Sequence, residues 1–315
     1  MHKVGGRRNF GWGKQIEWAG KQALRAAFGG GHYGTVASHS ARWRKFCEWT
    51  RDRGIRDVRQ ISRVELAQFA DHLSRQTESG VSLGYAKNQL TSVNVVMESL
   101  RGDRVLWVKP SDFLGNRSTV RVAAPSGLDR VLVKSATDKL ISGGKGRVAA
   151  IALLCRELGL RRREASLLDL RLAKHQAVQL GRLNVTAGTK GGRGRSVDRW
   201  VPASEYAKNA IQLATKAADA GSKLIPTDSS LAQWLTKVSK EWSNVAVPLG
   251  LESLRDLRAA YACDRYMQLT DTQAPAVAGE RVAEKAVDQA ARSVLSRELG
   301  HNRVDVLTAY VGSSR

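Results

Sequence analysis

Tyr310 stands nine residues after His301 in the run Leu299-Gly300-His301-Asn302-Arg303-Val304-Asp305-Val306-Leu307-Thr308-Ala309-Tyr310-Val311. Upstream lie Arg161, Lys190 and Arg258, each in a distinctive local context. A phenol can attack phosphorus and hold it covalently. Guanidinium groups offer planar forks to phosphate oxygens, and a lysine and a histidine can move protons. The chemistry such a set would perform is phosphodiester cleavage, and it requires no metal and no cofactor.

The local contexts are informative. In Gly159-Leu160-Arg161-Arg162-Arg163-Glu164, Arg161 and Glu164 lie three apart at an expected helix start, so the carboxylate can brace the guanidinium. Arg255-Asp256-Leu257-Arg258 puts two arginines on one helical face, and the small Ala259, Ala260 and Ala262 let that helix pack closely. A second arginine at the same phosphate would balance the charge of a pentacovalent transition state. Lys190 sits in Gly188-Thr189-Lys190-Gly191-Gly192-Arg193-Gly194-Arg195, a flexible basic turn from which it can donate a proton to a departing oxygen. His301 follows a helix stop at Leu299-Gly300. Taken singly, each has an ordinary alternative: an ion-paired surface face, a solvated turn lysine or a structural histidine.

Elements must bring these residues together. Trp43, Phe46, Cys47 and Thr50 repeat at helical spacing, as do Leu66, Phe69, Ala70 and Leu73, the latter opened by a Ser62–Glu65 capping box. Ala86, Leu90, Val93, Met97 and Leu100 mark a further helix, and Ile16 to Phe28 another, closed by Gly29-Gly30-Gly31. These helices carry Arg42, Arg44, Lys45 and Lys87, candidate DNA contacts. Pro110 to Gly127, with Pro125, reads as a linker, giving domains at 1–115 and 129–315 with residues 116–128 between them. Beyond it, Ile151 to Leu158 is helical. Ala177 to Thr186 and Ser196 to Val201 read as strands of a hairpin whose tip holds Lys190, Arg193 and Arg195. Helices resume at Glu205 to Ala218, around Leu231 to Trp242, and at Leu254 to Met267. Ser142-Gly143-Gly144-Lys145-Gly146 lacks the full phosphate-loop pattern and reads as a turn. The fold class is therefore mainly α with a small β-sheet, a helical N-terminal domain preceding an α/β domain.

Bulk properties agree with a polyanionic partner. The 315 residues carry 51 Lys+Arg against 29 Asp+Glu, a formal net charge of +22, spread along the chain rather than gathered in a tail. Neutralising phosphates with such charges releases condensed counterions, so double-stranded DNA is the expected partner. Cys47, Cys155 and Cys263 lie far apart, form no CxxC pair and suit reduced, buried thiols without structural metal. No secretory signal and no apolar run of membrane-spanning length is present, so a cytoplasmic protein is expected.

In combination, Gly-Leu-Arg-x-x-Glu, Thr-Lys-Gly-Gly, Arg-Asp-Leu-Arg with Tyr-Ala following, and Leu-Gly-His with a tyrosine nine later resemble the tyrosine recombinase (phage integrase) family over Asp129 to Arg315. The Leu-Gly-His-Asn-Arg and Tyr-Val-Gly-Ser ending is most similar to a bacterial integrase-like branch. The resemblance implies that the helical first hundred residues form a SAM-like core-binding domain, and that the second domain is catalytic. It implies that Tyr310 attacks the scissile phosphate to form a 3′-phosphotyrosyl link. By the same resemblance Arg161 and Arg258 clamp the non-bridging oxygens, Glu164 braces Arg161, Lys190 protonates the 5′ oxygen and His301 contacts the phosphate. A homotetramer on paired recombination sites, with accessory DNA-bending proteins, is implied as well. So is a nucleoid-associated setting in a bacterium or phage, where the enzyme would integrate, excise or resolve a mobile element.

Two departures stand out. Arg255 occupies the position where the family most often has histidine, and arginine can donate to a phosphate but cannot act as a base near neutrality. Arg315 lies five residues past Tyr310, where the resemblance implies a longer helix that reaches a neighbour; either the tetramer is held differently, with the stretch Thr270 to Asp288 as the expected substitute, or the sequence is cut short. Two other readings share much of this sequence: a catalytically idle DNA-binding relative, and a topoisomerase of type IB.

Overall fold

The structure is a computed structural model that describes residues 6–219, 221–301 and 303–315, the side chains of Arg193 and Arg195 excepted. The chain divides into two compact units, Met1–Ser118 and Thr119–Arg315, each with its own apolar core.

The first unit holds α1 (Ile16–Ala27), α2 (Tyr33–Arg51), α3 (Arg63–Glu78), α4 (Leu83–Arg101) and α5 (Pro110–Leu114). The apolar positions read from sequence at helical spacing face inward: Trp43, Phe46, Leu66, Phe69, Leu90 and Leu100 are all buried. Trp43 donates from Nε1 to the Ile16 carbonyl at 3.1 Å. Its indole fills the space a Cβ on Gly20 would need, so α1 and α2 approach through that glycine. Phe46 meets Phe69 edge-on with centroids 4.8 Å apart. Ser62 and Glu65 form the expected capping box at the start of α3. The stretch expected as linker from Pro110 onward begins differently. Proline at the first helical position needs no N–H donor, and α5 buries Leu114 against the first unit's core.

The second unit holds α6 (Arg130–Ser142), α7 (Gly146–Leu158), α8 (Arg162–Leu167), α9 (Leu170–Leu180), β1 (Arg182–Asn184), β2 (Trp200–Pro202), α10 (Glu205–Ala217), α11 (Leu231–Ala246), α12 (Leu254–Thr270), α13 (Pro275–Ala278), α14 (Lys285–Glu298) and α15 (Thr308–Val311). The middle of the unit is α7, whose Ile151, Leu154, Cys155 and Leu158 are fully buried. It packs against α6, α10 and α12. Ser142 to Gly146 is the turn between α6 and α7, with Gly144 at positive φ. The two strands pair antiparallel, Leu183 opposite Val201.

The hairpin is shorter than the sequence suggested. Residues expected as strand from Ala177 belong to α9, because Leu170, Ala173 and Ala177 bury one helical face, and Gly181 in the left-handed region (φ 62°) ends the helix. All three cysteines are buried and free. Among the described residues no helix is long and apolar enough to cross a membrane.

Candidate active site

Four short structural devices bring the sequence's chemical residues together in the second unit. The first is the turn between α7 and α8. Gly159 caps α7 in the left-handed region (φ 59°), where a Cβ would collide with the Tyr261 ring. The chain then enters α8 through a reciprocal cap. Glu164 accepts from the Arg161 backbone N–H at 2.7 Å and from Arg161 Nη1 at 2.6 Å. The i, i+3 brace read from sequence is therefore formed twice over.

Helix α12 supplies the second arginine. Arg258 is fully buried and donates to the carbonyls of Gly159 and Leu299, the latter at 2.6 Å. Both acceptors are last-turn carbonyls that a helix leaves without internal partners. Arg255 lies one turn earlier and is exposed.

The third device is the end of α14. The Gly300 N–H bonds the Arg297 carbonyl at 2.9 Å and the His301 N–H bonds that of Ser296 at 2.8 Å. With Gly300 at φ 66° this is a Schellman stop, and it turns the chain so that His301 faces the arginines. The His301 Nε2 lies 3.1 Å from Arg258 Nη2 and 3.4 Å from Arg161 Nη2.

The fourth is α15, four residues long, which presents Tyr310. Its ring centroid is 5.4 Å from that of His301. The guanidinium carbons of Arg258 and Arg255 lie 5.4 Å and 5.9 Å from the same centroid. Four elements well separated in sequence thus place Arg161, Arg255, Arg258, His301 and Tyr310 in one cluster. Lys190 is exposed, at the start of the turn Lys190–Arg195, and lines a cavity of about 180 Å³ together with Arg161 and Gly300.

The electrostatics follow from burial among cations. Glu164 is wholly buried, which by itself would raise its carboxyl, but Arg199, Arg258 and Arg161 outweigh that and hold it at about 2. Burial, followed by the charges of Arg199 and Arg161, lowers Arg258 to about 10, so it stays cationic at neutral pH. Burial and the neighbouring Arg258, Arg161 and Arg199 push His301 down to about 3. The imidazole is thus neutral, and Nε2 is free to accept from the arginines. Burial opposes ionisation of Tyr310, yet the charge and hydrogen bond of Arg258, with Arg255 and Arg161, bring its phenol below the usual tyrosine value. The arrangement eases ionisation of the phenol and favours an anionic ligand next to it.

Sequence reasoning passed over Arg199. It is 5% exposed, and its Nη1 lies 2.8 Å from Glu164 Oε2. Its Nε donates to the Glu298 carbonyl at 2.7 Å. A signal was available: Arg199 and Val201 share the inward parity of β2, and an arginine on that parity must find a buried partner. Arg121 was also missed. Its backbone N–H donates to the Thr308 carbonyl at 2.9 Å, while its guanidinium pairs with Asp256 at 2.8 Å. The start of the second unit is thus tied to the helices of Tyr310 and of Arg258.

Three of the four basic residues expected to contact DNA in the first unit, Arg42, Arg44 and Lys45, have internal partners. Arg44 pairs with Glu17 at 2.8 Å and Lys45 with Glu48 at 3.2 Å. Arg42 donates to the Ser92 hydroxyl at 3.3 Å, and Lys87 is half-buried on α4. Such exposed pairs are weak and leave the side chains available to a phosphate. The side chains of Arg193 and Arg195 lie outside the described residues. The stretch Thr270 to Asp288, expected to reach a neighbour, cradles its own chain here: Gly312 packs against the backbone of Pro275 and Ala276, and Arg281 donates to the Ser314 carbonyl at 3.1 Å.

Comparison with known proteins gives a consistent assignment. An integrase family model matches residues 119–264. No curated protein sequence matches the chain. Among solved structures, a lambda integrase dimer bound to a COC′ core site is similar at a TM-score of 0.57, with 15% identity over 93% of this chain and 93% of that one. XerH recombinase bound to a palindromic difH substrate is similar at 0.56, with 16% identity over 93% of this chain and 79% of that one. The Tn1549 transposon integrase in complex with transposon right-end DNA is similar at 0.56, with 14% identity over 93% and 95%. Residues 119–264 thus match the integrase family model, on a chain that carries the tyrosine recombinase fold.

Proposed function

We propose that this protein is a site-specific DNA recombinase that cuts and rejoins strands through a 3′-phosphotyrosyl intermediate. The observation that carries the reading is the convergence of Arg161 and Arg258 on Nε2 of a neutral His301, with the Tyr310 ring beside His301 and Arg258. In the reaction, Tyr310 Oη attacks the scissile phosphorus and its proton passes to water. Arg161, Arg258 and Arg255 neutralise the non-bridging oxygens, and His301 donates through the ring nitrogen that carries its proton. Glu164 holds Arg161 in place. Lys190 protonates the departing 5′ oxygen, and religation reverses the steps with no nucleotide, since the covalent link conserves the bond energy. Double-stranded recombination sites are the substrate, gripped by the basic helices of the first unit and by Arg193 and Arg195. Four protomers exchange strands on paired sites during integration, excision or resolution of a mobile element. The DNA-bound state of the three similar recombinases supports this reading.

The test is covalent trapping on nicked suicide duplexes made from the ends of the element that encodes the protein, with Tyr310→Phe run alongside. A site-dependent, 3′-linked adduct that Tyr310→Phe abolishes, with DNA binding retained, is the expected result. Relaxation of supercoiled DNA without site preference would replace the recombinase reading with a topoisomerase. Tight binding without any adduct would leave an idle DNA-binding relative.

A further inference from the structure

We propose that Arg199 is a positioning residue that decides where Lys190 delivers its proton, an inference that rests on the recombinase reading above. Lys190 rides on a glycine-rich turn whose own bonds, from the Gly192 N–H to the Thr189 carbonyl and from the Gly194 N–H to the Thr189 hydroxyl, shape the turn but do not fix its place against α8. Proton transfer requires an accuracy of about 1 Å. The structure anchors both roots of the turn to α8, the helix that Arg161 caps. At the first root Gly188 takes φ 73°, and a Cβ there would sit 2.8 Å from the Arg163 carbonyl oxygen. Only glycine satisfies both the backbone angle and that approach.

At the second root stands Arg199. Its backbone closes the sheet, accepting from the Val185 N–H at 2.9 Å and donating to Asn184 Oδ1 at 2.9 Å. Its guanidinium leaves the sheet for Glu164 at 2.8 Å, the Glu298 carbonyl at 2.7 Å and the Gly159 carbonyl at 3.4 Å. One side chain therefore locks the lysine turn to the brace of Arg161 and to the turn that carries His301. Arg161, Lys190 and Arg199 line the same cavity. The guanidinium of Arg199 is directed at Glu164 and two backbone carbonyls within the fold, so it braces the turn. Lysine in its place would keep the charge but not the planar fork that reaches three acceptors in fixed directions.

The chemistry separates this role from a general loss of structure. As the Tyr310 Oη–P bond forms and the P–O5′ bond breaks, the phenol proton goes to water and the Lys190 ammonium gives a proton to O5′. When sulfur replaces the 5′ bridging oxygen, the leaving thiolate departs unprotonated, because a thiol's pKa of about 8.5 is far below that of an alcohol. Placement of Lys190 then ceases to matter.

The experiment measures single-turnover cleavage of ordinary and 5′-thio suicide duplexes by the wild type, Lys190→Ala, Arg199→Lys and Gly188→Ala. Arg199→Lys should lose about 100-fold on ordinary DNA yet stay within about 10-fold of wild type on the thio substrate, in parallel with Lys190→Ala. Equal loss on both substrates, or no loss on ordinary DNA, would overturn the proposal. Gly188→Ala disturbs the opposite root and should show the same split, which provides the decision if Arg199→Lys does not fold; equal loss there counts against the proposal too. Wild type cleaving both substrates while Lys190→Ala also cleaves ordinary DNA normally would sink this inference and spare the recombinase. No adduct from the wild type on either substrate would sink both.

Discussion

Burial and the neighbouring arginines together shift His301 and Tyr310, and this is where pH should report on the site. Arg258, Arg255 and Arg161 draw the phenol below its ordinary value of 10 against the effect of burial. A phenol must lose its proton to attack, so single-turnover cleavage should rise with pH and level off before pH 10. Arg255→Gln removes one of those charges and should move the rising limb to higher pH, which a pH–rate profile of the two proteins would reveal. An unmoved limb would show that Arg255 does not act on the nucleophile. His301, lowered to about 3, should contribute no inflection between about pH 5 and 8, where an unperturbed histidine would titrate. Glu164 gives a stability prediction. Its folded value of about 2 lies below the ordinary 4.5. A depressed carboxyl contributes stability that is complete above about 4.5 and is lost as pH falls toward about 2. Glu164→Gln should cost about 3–5 kcal/mol in urea unfolding at neutral pH, because it strands buried guanidinium groups, and should flatten the stability curve across that acid window.

At the scale of elements, the site depends on helix ends more than on helix bodies. Arg161 caps α8, His301 follows the stop of α14, and Arg258 takes the last carbonyls of α7 and α14. Terminal carbonyls and N–H groups are the ones a helix leaves unpaired, so they are available to orient the side chains of the site. Gly159 is the most exacting of these ends, since a side chain would need both a left-handed backbone and the room that Tyr261 occupies. Gly159→Ala should destabilise the fold by about 1–3 kcal/mol and reduce adduct formation more than DNA binding, measured by urea midpoint and by a gel shift. Loss of binding in equal measure would show a wider collapse than the turn alone.

For the whole molecule, a net charge of +22 predicts binding dominated by phosphate neutralisation. Between 50 and 200 mM salt, affinity for duplex should fall by about 10³–10⁵-fold if six to ten phosphates are contacted. Fluorescence anisotropy across a salt series measures this, and a flat response would refute a phosphate-tracking grip. Because exposed ion pairs such as Arg44–Glu17 and Lys45–Glu48 are themselves screened by salt, their arginine and lysine remain candidates for that contact.

Much of this was legible in one dimension. Apolar spacing named the helices of the first unit, capping residues marked where α3 and α8 begin, and the order of Arg161, Lys190, Arg258, His301 and Tyr310 pointed to phosphoryl chemistry. The spacing and capping signals are local, carried by residues within one or two helical turns of each other, and each of those five residues was marked by its own short motif. Period-2 alternation was a poorer guide: Ala177 to Leu180 looked like strand, but the burial of Leu170, Ala173 and Ala177 on one face decided for helix. What the order of residues could not reveal is which charges meet. Arg199 lies 35 positions from Glu164 and 99 from Glu298, and Arg121 lies 135 from Asp256. Such pairings have no sequence period, because they exist only where packing excludes water and leaves a buried charge no other partner. The sequence by itself determined the helices and the kinds of chemistry available; the tertiary structure alone decided that one buried carboxylate, Glu164, would gather Arg161, Arg199 and Arg258 around it, because packing leaves those charges no water to turn to.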